Sequence, residues 1–430
     1  MTRIEAVHAR QILDSRGRPT VEVDVMLADG TLGRASVPSG ASTGTHEAHE
    51  LRDGDPGDYA GLGVRGAVRA VRDEVSPVLR GHDVTDQLGV DSALRDLDGT
   101  DNLTRLGANA VLGTSLAVCR ASALALGRPL YRRITELAGV DTPMLPMPMV
   151  NILSGGQHAG RGMDVQDFLV VPAGATNIAD ALHVVARVRA AASDALAARG
   201  LPTLLADEGG LSPGCASGHE ALELMVEVIE RAGLEPGADA LIAIDVAAHS
   251  LVDADGRYAL DREGVVRTTA EMIDMVESWV REYPIVSVED ALDEEDWAGW
   301  TELTARIGKC ARLIGDDLFT TNAARLERGI VARAANGILV KVNQNGTLSG
   351  TLDVMARACE AGYVPVVSAR SGETEDDFLA DLAVGTAAGQ IKIGSLRCSE
   401  RLAKYNQLLR IAEDETLPFA PSPATLVGIP

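Results

Sequence analysis

Residues 338–348 read ILVKVNQNGTL. Ile338, Leu339, Val340 and Val342 have the unbroken apolar character of a strand buried on both faces, as in parallel sheets flanked by helices. Lys341 lies inside that run. Lysines are scarce here: Lys309, Lys341, Lys392 and Lys404 are the four among 39 basic residues. Arginine holds its proton under all ordinary conditions, whereas a buried lysine can give one up. A lysine retained within an apolar strand of an arginine-rich chain therefore marks a candidate for proton chemistry.

The same kind of run recurs on both sides. LIAIDV, IVSVED, LIGDDL, ILVKVN, VVSARS and QIKIGS each carry a charged or polar residue at or near the end of an apolar run, and helical stretches such as TAEMIDMVESWVREY lie among them. The markers Glu289, Asp316, Lys341, Ser368 and Lys392 are spaced by about one strand-plus-helix unit each. That rhythm predicts a parallel eight-fold α/β barrel over residues 139–415. Upstream, TVEVDVMLADGTLGRASV alternates apolar and polar residues and reads as a hairpin turning at Asp29-Gly30. Helices are expected over 66–80, 104–126 and 128–138, which makes residues 1–138 a smaller α+β domain. The proline-rich residues 416–430 read as an irregular tail. At 430 residues the chain exceeds one ordinary core, so two domains are expected.

Composition narrows the function. A formal charge of −23 opposes nucleic acid and anionic membrane over most of the surface. Any anionic substrate must then be gripped by a few placed cations or by metal ions. Five scattered cysteines without a CxxC pair read as reduced thiols, and the N-terminus lacks a signal-peptide pattern. No uncharged apolar run free of Pro and Gly is long enough to span a bilayer. A cytoplasmic location is expected.

In such barrels the chemistry sits at the C-terminal strand ends. Asp245, Glu289 and Asp316 would converge there from three neighbouring strands. Oxygen ligands with no His or Cys beside them suit Mg²⁺. The competing reading is that these acids cap the helices that follow. A cation and a second lysine would push Lys341 toward its neutral form, fitting it as a general base, with Lys392 charged beside it. The alternative for Lys341 is a plain salt bridge to one of the acids. Upstream, LLADEGG presents Asp207 and Glu208, and SGGQHAGRGMDVQDF presents His158, Gln166 and Asp167. Glu208 is the candidate acid for β-elimination of a hydroxyl; Asp207 fits a capping role equally well. GLGVRG (61–66) follows no strand and is set aside as a dinucleotide loop. SGASTG (39–44) reads as a mobile lid.

These motifs, in this order, resemble the enolase family over essentially the whole chain: VPSGASTGTHEAHELRDGD, LGANAVLGTSLAV, DEGG, SVEDALDEEDWAGW, GDDLFTTN, KVNQNGTL and RSGETED. The resemblance implies a small N-terminal domain, an enolase-type barrel and a homodimer. It implies two Mg²⁺ ions, the first held by Asp245, Glu289 and Asp316 and the second helped by Ser42. It implies Lys341 as base, Glu208 as acid, Arg370 and Ser371 on a phosphate, Lys392 on a carboxylate, and His158 closing over a small anionic phospho or phosphono carboxylate. Several positions depart from the family pattern. SHRSGE appears as SARSGE with Ala369; QEF carries Asp167; NGG begins with Ser154; GDEGG has Ala206, NQIG has Asn345, and KTGS has Ile393. Read as changes at the site, they favour a diverged member similar to carboxyphosphonoenolpyruvate synthase, which uses a phosphonoformyl donor. Ala369 would open room for the extra carboxylate, and Asn345 could supply a donor to it. The alternatives are an ordinary phosphopyruvate hydratase and a non-catalytic enolase-like binding protein.

Overall fold

A computed structural model describes residues 2–40 and 44–423. Strands β1 (Ile4–Leu13), β2 (Pro19–Leu27) and β3 (Leu32–Ser36) form an antiparallel meander in that order. The β2–β3 turn falls at Asp29-Gly30, where Gly30 takes φ +87° and Asp29 Oδ1 accepts the Thr31 N–H at 3.0 Å. Helix Ala108–Ala125 lies across β2 and β3 and is almost wholly buried. It is long and apolar enough to cross a membrane by composition alone, but 83% of it is covered by the protein's own core. Its start is four residues later than the expected helix over 104–126, because Gly107 turns the chain at φ +94°.

Gly33 shows how close this packing is. A Cβ there would stand 2.3 Å from the Ala117 carbonyl oxygen and 2.4 Å from the Ala121 nitrogen. Gly33→Ala is expected to lower stability by about 1–3 kcal/mol through overpacking. Chemical denaturation of the variant measures this, and an unchanged midpoint would mean that the sheet and helix can separate freely.

The larger sheet closes on itself. In ring order it comprises β4 (Met147–Ser154), β5 (Asp167–Val171), β6 (Leu241–Asp245), β9 (Ile285–Glu289), β10 (Arg312–Gly315), β11 (Gly337–Val340), β12 (Val364–Ser368) and β13 (Gln390–Lys392). A short hairpin, β7 (Tyr258–Leu260) with β8 (Val265–Arg267), stands outside the ring.

Three expectations need correction. The barrel is not all parallel: β5 runs antiparallel to both β4 and β6. The segment 155–166 joining β4 to β5 holds a single short turn, Gln157–Ala159. Without a crossover helix the chain must return as a hairpin. The strand around Lys341 is also shorter than its apolar run. β11 ends at Val340, and Val342–Asn345 coil into one helical turn ended by Gly346 at φ +88°. Finally, residues 418–420 of the tail are paired, with Leu145 N–H donating to Pro418 O at 2.9 Å and Ala420 N–H to Leu145 O at 2.8 Å. Ala420 joins the apolar barrel interior with Met147, Leu169, Leu241 and Val366.

Candidate active site

Every strand-end residue singled out in the sequence faces the C-terminal mouth of the barrel. Asp245 and Glu289 close β6 and β9, Asp316 follows β10, Lys341 follows β11, Ala369 and Arg370 follow β12, and Lys392 closes β13. A cleft there is lined by His158, Gln166, Glu208, Asp245, Asp316, Lys341, Ala369, Arg370, Ser371 and Lys392. Ser42 lies outside the described residues.

On one wall the two lysines divide the acids between them. Lys392 Nζ donates to Asp245 Oδ2 and to Glu289, each at 2.8 Å, and Lys341 Nζ donates to Asp316 Oδ2. Gln166 Nε2 donates to Asp245 Oδ2 at 3.2 Å, and Gln344 Nε2 to Asp316 Oδ1 at 3.0 Å. Burial works to raise all these carboxyls. Lys392 overrides it at Asp245 and Lys341 at Asp316, holding both below the usual carboxylate range. At Glu289 burial and the Asp245 charge prevail, and its pKa rises well above normal. As the cleft stands, burial would lower Lys341, but Asp316 outweighs it and keeps the ammonium charged. The plain salt bridge is therefore the state seen here, and the depression expected for Lys341 would need a cation to draw Asp316 away.

Asp290 turns out to be the capping acid. It sits at φ +41°, and its two oxygens accept the Asp316 and Asp317 N–H groups at 2.9 and 2.8 Å. This strained residue fixes the turn that presents Asp316. Burial and the Asp316 charge push Asp317 up to about 7. Five carboxylates thus face two lysines, and several are pushed toward protonation by one another. Such an oxygen-only, cation-poor donor set fits Mg²⁺.

The opposite wall carries His158 and Glu208, with Asp167 fully buried next to His158. His158 Nδ1 lies 3.5 Å from Asp167 Oδ2 and 3.9 Å from Glu208 Oε1. Asn151 Nδ2 donates to Glu208 Oε2 at 3.2 Å. Burial raises Asp167, while His158, Arg401 and Lys392 outweigh burial and lower Glu208. Neighbouring carboxyls pushed apart in this way suit separate proton-handling roles.

The departures from the family pattern are less concentrated than the sequence implied. Among them only Ala369 lines the cleft. Ser154 and Asp167 are cross-strand partners on β4 and β5, and Ser154 Oγ donates to Asp167 Oδ1 at 2.5 Å behind His158. Asn345 points away: Arg95 donates to its Oδ1 at 2.9 Å and its Nδ2 donates to Thr321 O at 3.2 Å. It is therefore no donor to a substrate group beside Arg370. Ala206 and Ile393 are buried off the cleft, Ala206 in a turn closed by Gly209 N–H on its carbonyl and Ile393 just past β13.

Sequence reasoning missed the residues that set the Arg370 loop. Glu47 Oε2 pairs with Arg370 Nη1 at 2.9 Å, and Asn343 Oδ1 accepts from the same nitrogen at 3.0 Å. Arg401, fully buried, donates to the carbonyls of Arg370 and Ser371 at 2.7 and 2.8 Å. Arg16 Nη1 reaches Ser371 Oγ at 3.2 Å. Glu47 and Asn343 lay within motifs already noticed, but nothing in those motifs showed that they turn toward Arg370; the arginines come from distant segments and carried no local signal.

Known proteins agree with this geometry. Residues 4–134 match the family described as "Enolase, N-terminal domain" and residues 142–419 that described as "Enolase, C-terminal TIM barrel domain". The protein named "Enolase" from Acidothermus cellulolyticus is 53% identical over 414 residues, covering 96% of this chain and 95% of that relative. With both domains matched, in order, around a cleft of paired lysines and carboxylates, this chain belongs to the enolase family.

Proposed function

We propose that the protein is a phosphopyruvate hydratase, a Mg²⁺-dependent lyase that removes the C2 proton of 2-phosphoglycerate and eliminates its C3 hydroxyl to give phosphoenolpyruvate. The observation that carries this is that Lys341, paired with Asp316, and Glu208, beside His158, line one cleft from different parts of the barrel, which supplies base and acid from different residues. Lys341 takes the C2 proton. Glu208, supported by His158 and Asp167, delivers a proton to the leaving hydroxyl. Arg370 and Ser371 hold the phosphate once Glu47 yields its place on Arg370. Asp245, Glu289 and Asp316 hold Mg²⁺, which when bound offsets the negative charge that gathers on the substrate carboxylate. Ser42 is placed on a second ion, and a homodimer in the cytoplasm completes the reading; these rest on the resemblance. Purified protein with 2-phosphoglycerate and Mg²⁺ should form phosphoenolpyruvate at about 1–10³ s⁻¹, followed by ultraviolet absorbance. No turnover by folded, metal-loaded protein would defeat the proposal.

Ala369 favours a second reading, the carboxyphosphonoenolpyruvate synthase branch. Its methyl stands beside Arg370, where the family pattern places an imidazole, and offers more room and no donor. On this reading wild-type hydratase turnover is depressed by about 10²–10³-fold, the usual cost of a missing acid or electrostatic donor. Ala369→His then raises it and lowers any reaction with a phosphonoformyl donor. Full hydratase turnover in the wild type, with no response to such donors, removes this reading.

A further inference from the structure

The pleat of the barrel strands shows which side chains enter its interior. Ile314 belongs to the interior apolar cluster and Leu313 to the outer one, so Arg312, two residues before Ile314, faces inward. Arg312 lies directly opposite Ser287 across β9 and β10, and Ser287 in turn is opposite the interior residue Ala243. Gln390 shares its face with Lys392 and pairs with the interior residues Val366 and Met147. One layer inside the barrel therefore contains Arg312, Ser287 and Gln390.

All three are buried, at 4, 1 and 4% exposure. Arg312 Nε, Ser287 Oγ and both amide atoms of Gln390 have no hydrogen-bond partner among the described residues. Nor does any described carboxylate pair with the Arg312 guanidinium. Burial lowers its pKa to about 10 with no opposing charge nearby, which leaves it cationic at neutral pH. Water could satisfy the serine and the amide. It does not neutralise an isolated charge, and an unpaired buried charge is among the costliest features a core can hold.

We infer that the barrel core binds a small monovalent anion of the halide class against Arg312, with Ser287 and Gln390 as neutral donors. A single guanidinium balances one negative charge, and the surrounding Met147, Leu169 and Leu241 leave no further cation for a dianion. Glu289 and Lys392 lie two residues beyond Ser287 and Gln390 on the same strand faces, about 7 Å up the barrel. The anion would thus lie directly beneath the catalytic layer.

The test is the thermal midpoint of the full chain in sodium gluconate, chloride and bromide at matched ionic strength and pH. The expected result is a saturable rise of about 2 °C or more in the halides. A bromide-soaked crystal should show an anomalous peak beside the Arg312 guanidinium. Arg312→Met should lose the halide dependence, and Arg312→Lys should keep it. Equal midpoints in gluconate and halide, or a halide rise that survives in Arg312→Met, overturn the proposal. If Arg312→Met does not fold, the bromide map decides: a peak at Arg312 supports the site, and water alone in the barrel core rejects it.

Discussion

Lys341→Ala should slow exchange of the C2 proton of 2-phosphoglycerate in D₂O by about 10²–10⁴-fold, the range for loss of a positioned base. Glu208→Gln should leave that exchange near its wild-type rate while elimination falls by a similar factor. The split follows from the geometry. Lys341 stands on the Asp316 wall, and Glu208 stands across the cleft beside His158. Lys341→Arg sharpens the test: arginine keeps the charge and can still pair with Asp316, but it does not surrender a proton at working pH. If Lys341→Arg retains exchange, the residue acts through its charge and the base is elsewhere. If Glu208→Gln and Lys341→Ala lose exchange equally, the acid and base assignments fail together.

The second large effect concerns the cation. Asp316→Ala removes one oxygen donor and also strips Lys341 of the carboxylate that compensates it. An uncompensated buried ammonium next to the metal position opposes Mg²⁺ directly. Affinity should fall by about 10²-fold or more, on the scale of breaking a buried pair. Asp245→Ala leaves Lys392 still paired with Glu289, so its loss should come mainly from the missing ligand and be the smaller of the two. Calorimetric titration of folded variants with Mg²⁺ reads both values, and chelator should abolish wild-type activity. Wild-type affinity in either variant would remove that residue from the metal site.

Much of this was legible in the chain because barrel strands advertise themselves. Buried on both faces, they read as apolar runs, and the polar residue that ends each one falls at the catalytic mouth; Asp245, Glu289, Asp316 and Lys392 were found that way. Strand direction was not legible, since FLVVP has the same composition whichever way it runs, and only the brevity of segment 155–166 reverses β5. Helix Gln87–Asp98 escaped notice because its buried positions, Val90, Asp91 and Leu94 among them, include a charged residue that solvation would normally claim. Asp91 accepts from Gln87 and from Ser349 N–H, a partner far along the chain. Arg401 and Arg16 were invisible for a related reason: each has an acid near it in sequence, Glu400 and Asp14, while the contacts that hold the Arg370 loop go to backbone carbonyls and a hydroxyl brought near only by folding. Asn345 was misplaced because a substitution next to a motif in sequence need not face the site in space.

The ring of eight strands also sets a schedule for synthesis. Strands β1 to β3, and then β4 with β5, pair with near neighbours and can form as they leave the ribosome. The closing seam cannot. It joins Met147–Met149 of β4 to Gln390–Lys392 of β13, at opposite ends of the larger domain. At about 5–20 residues per second, the nascent chain waits roughly ten seconds to a minute between making one side of that seam and the other. Throughout that interval β4 presents an open edge that is apolar but for Asn151 and Ser154, the kind that recruits other strands. The last residues to dock, 418–420, follow only after the ring has shut. A nascent chain halted before Gln390 is therefore a sheet with a sticky margin, and its solubility depends on whatever shields β4 until the final strand arrives.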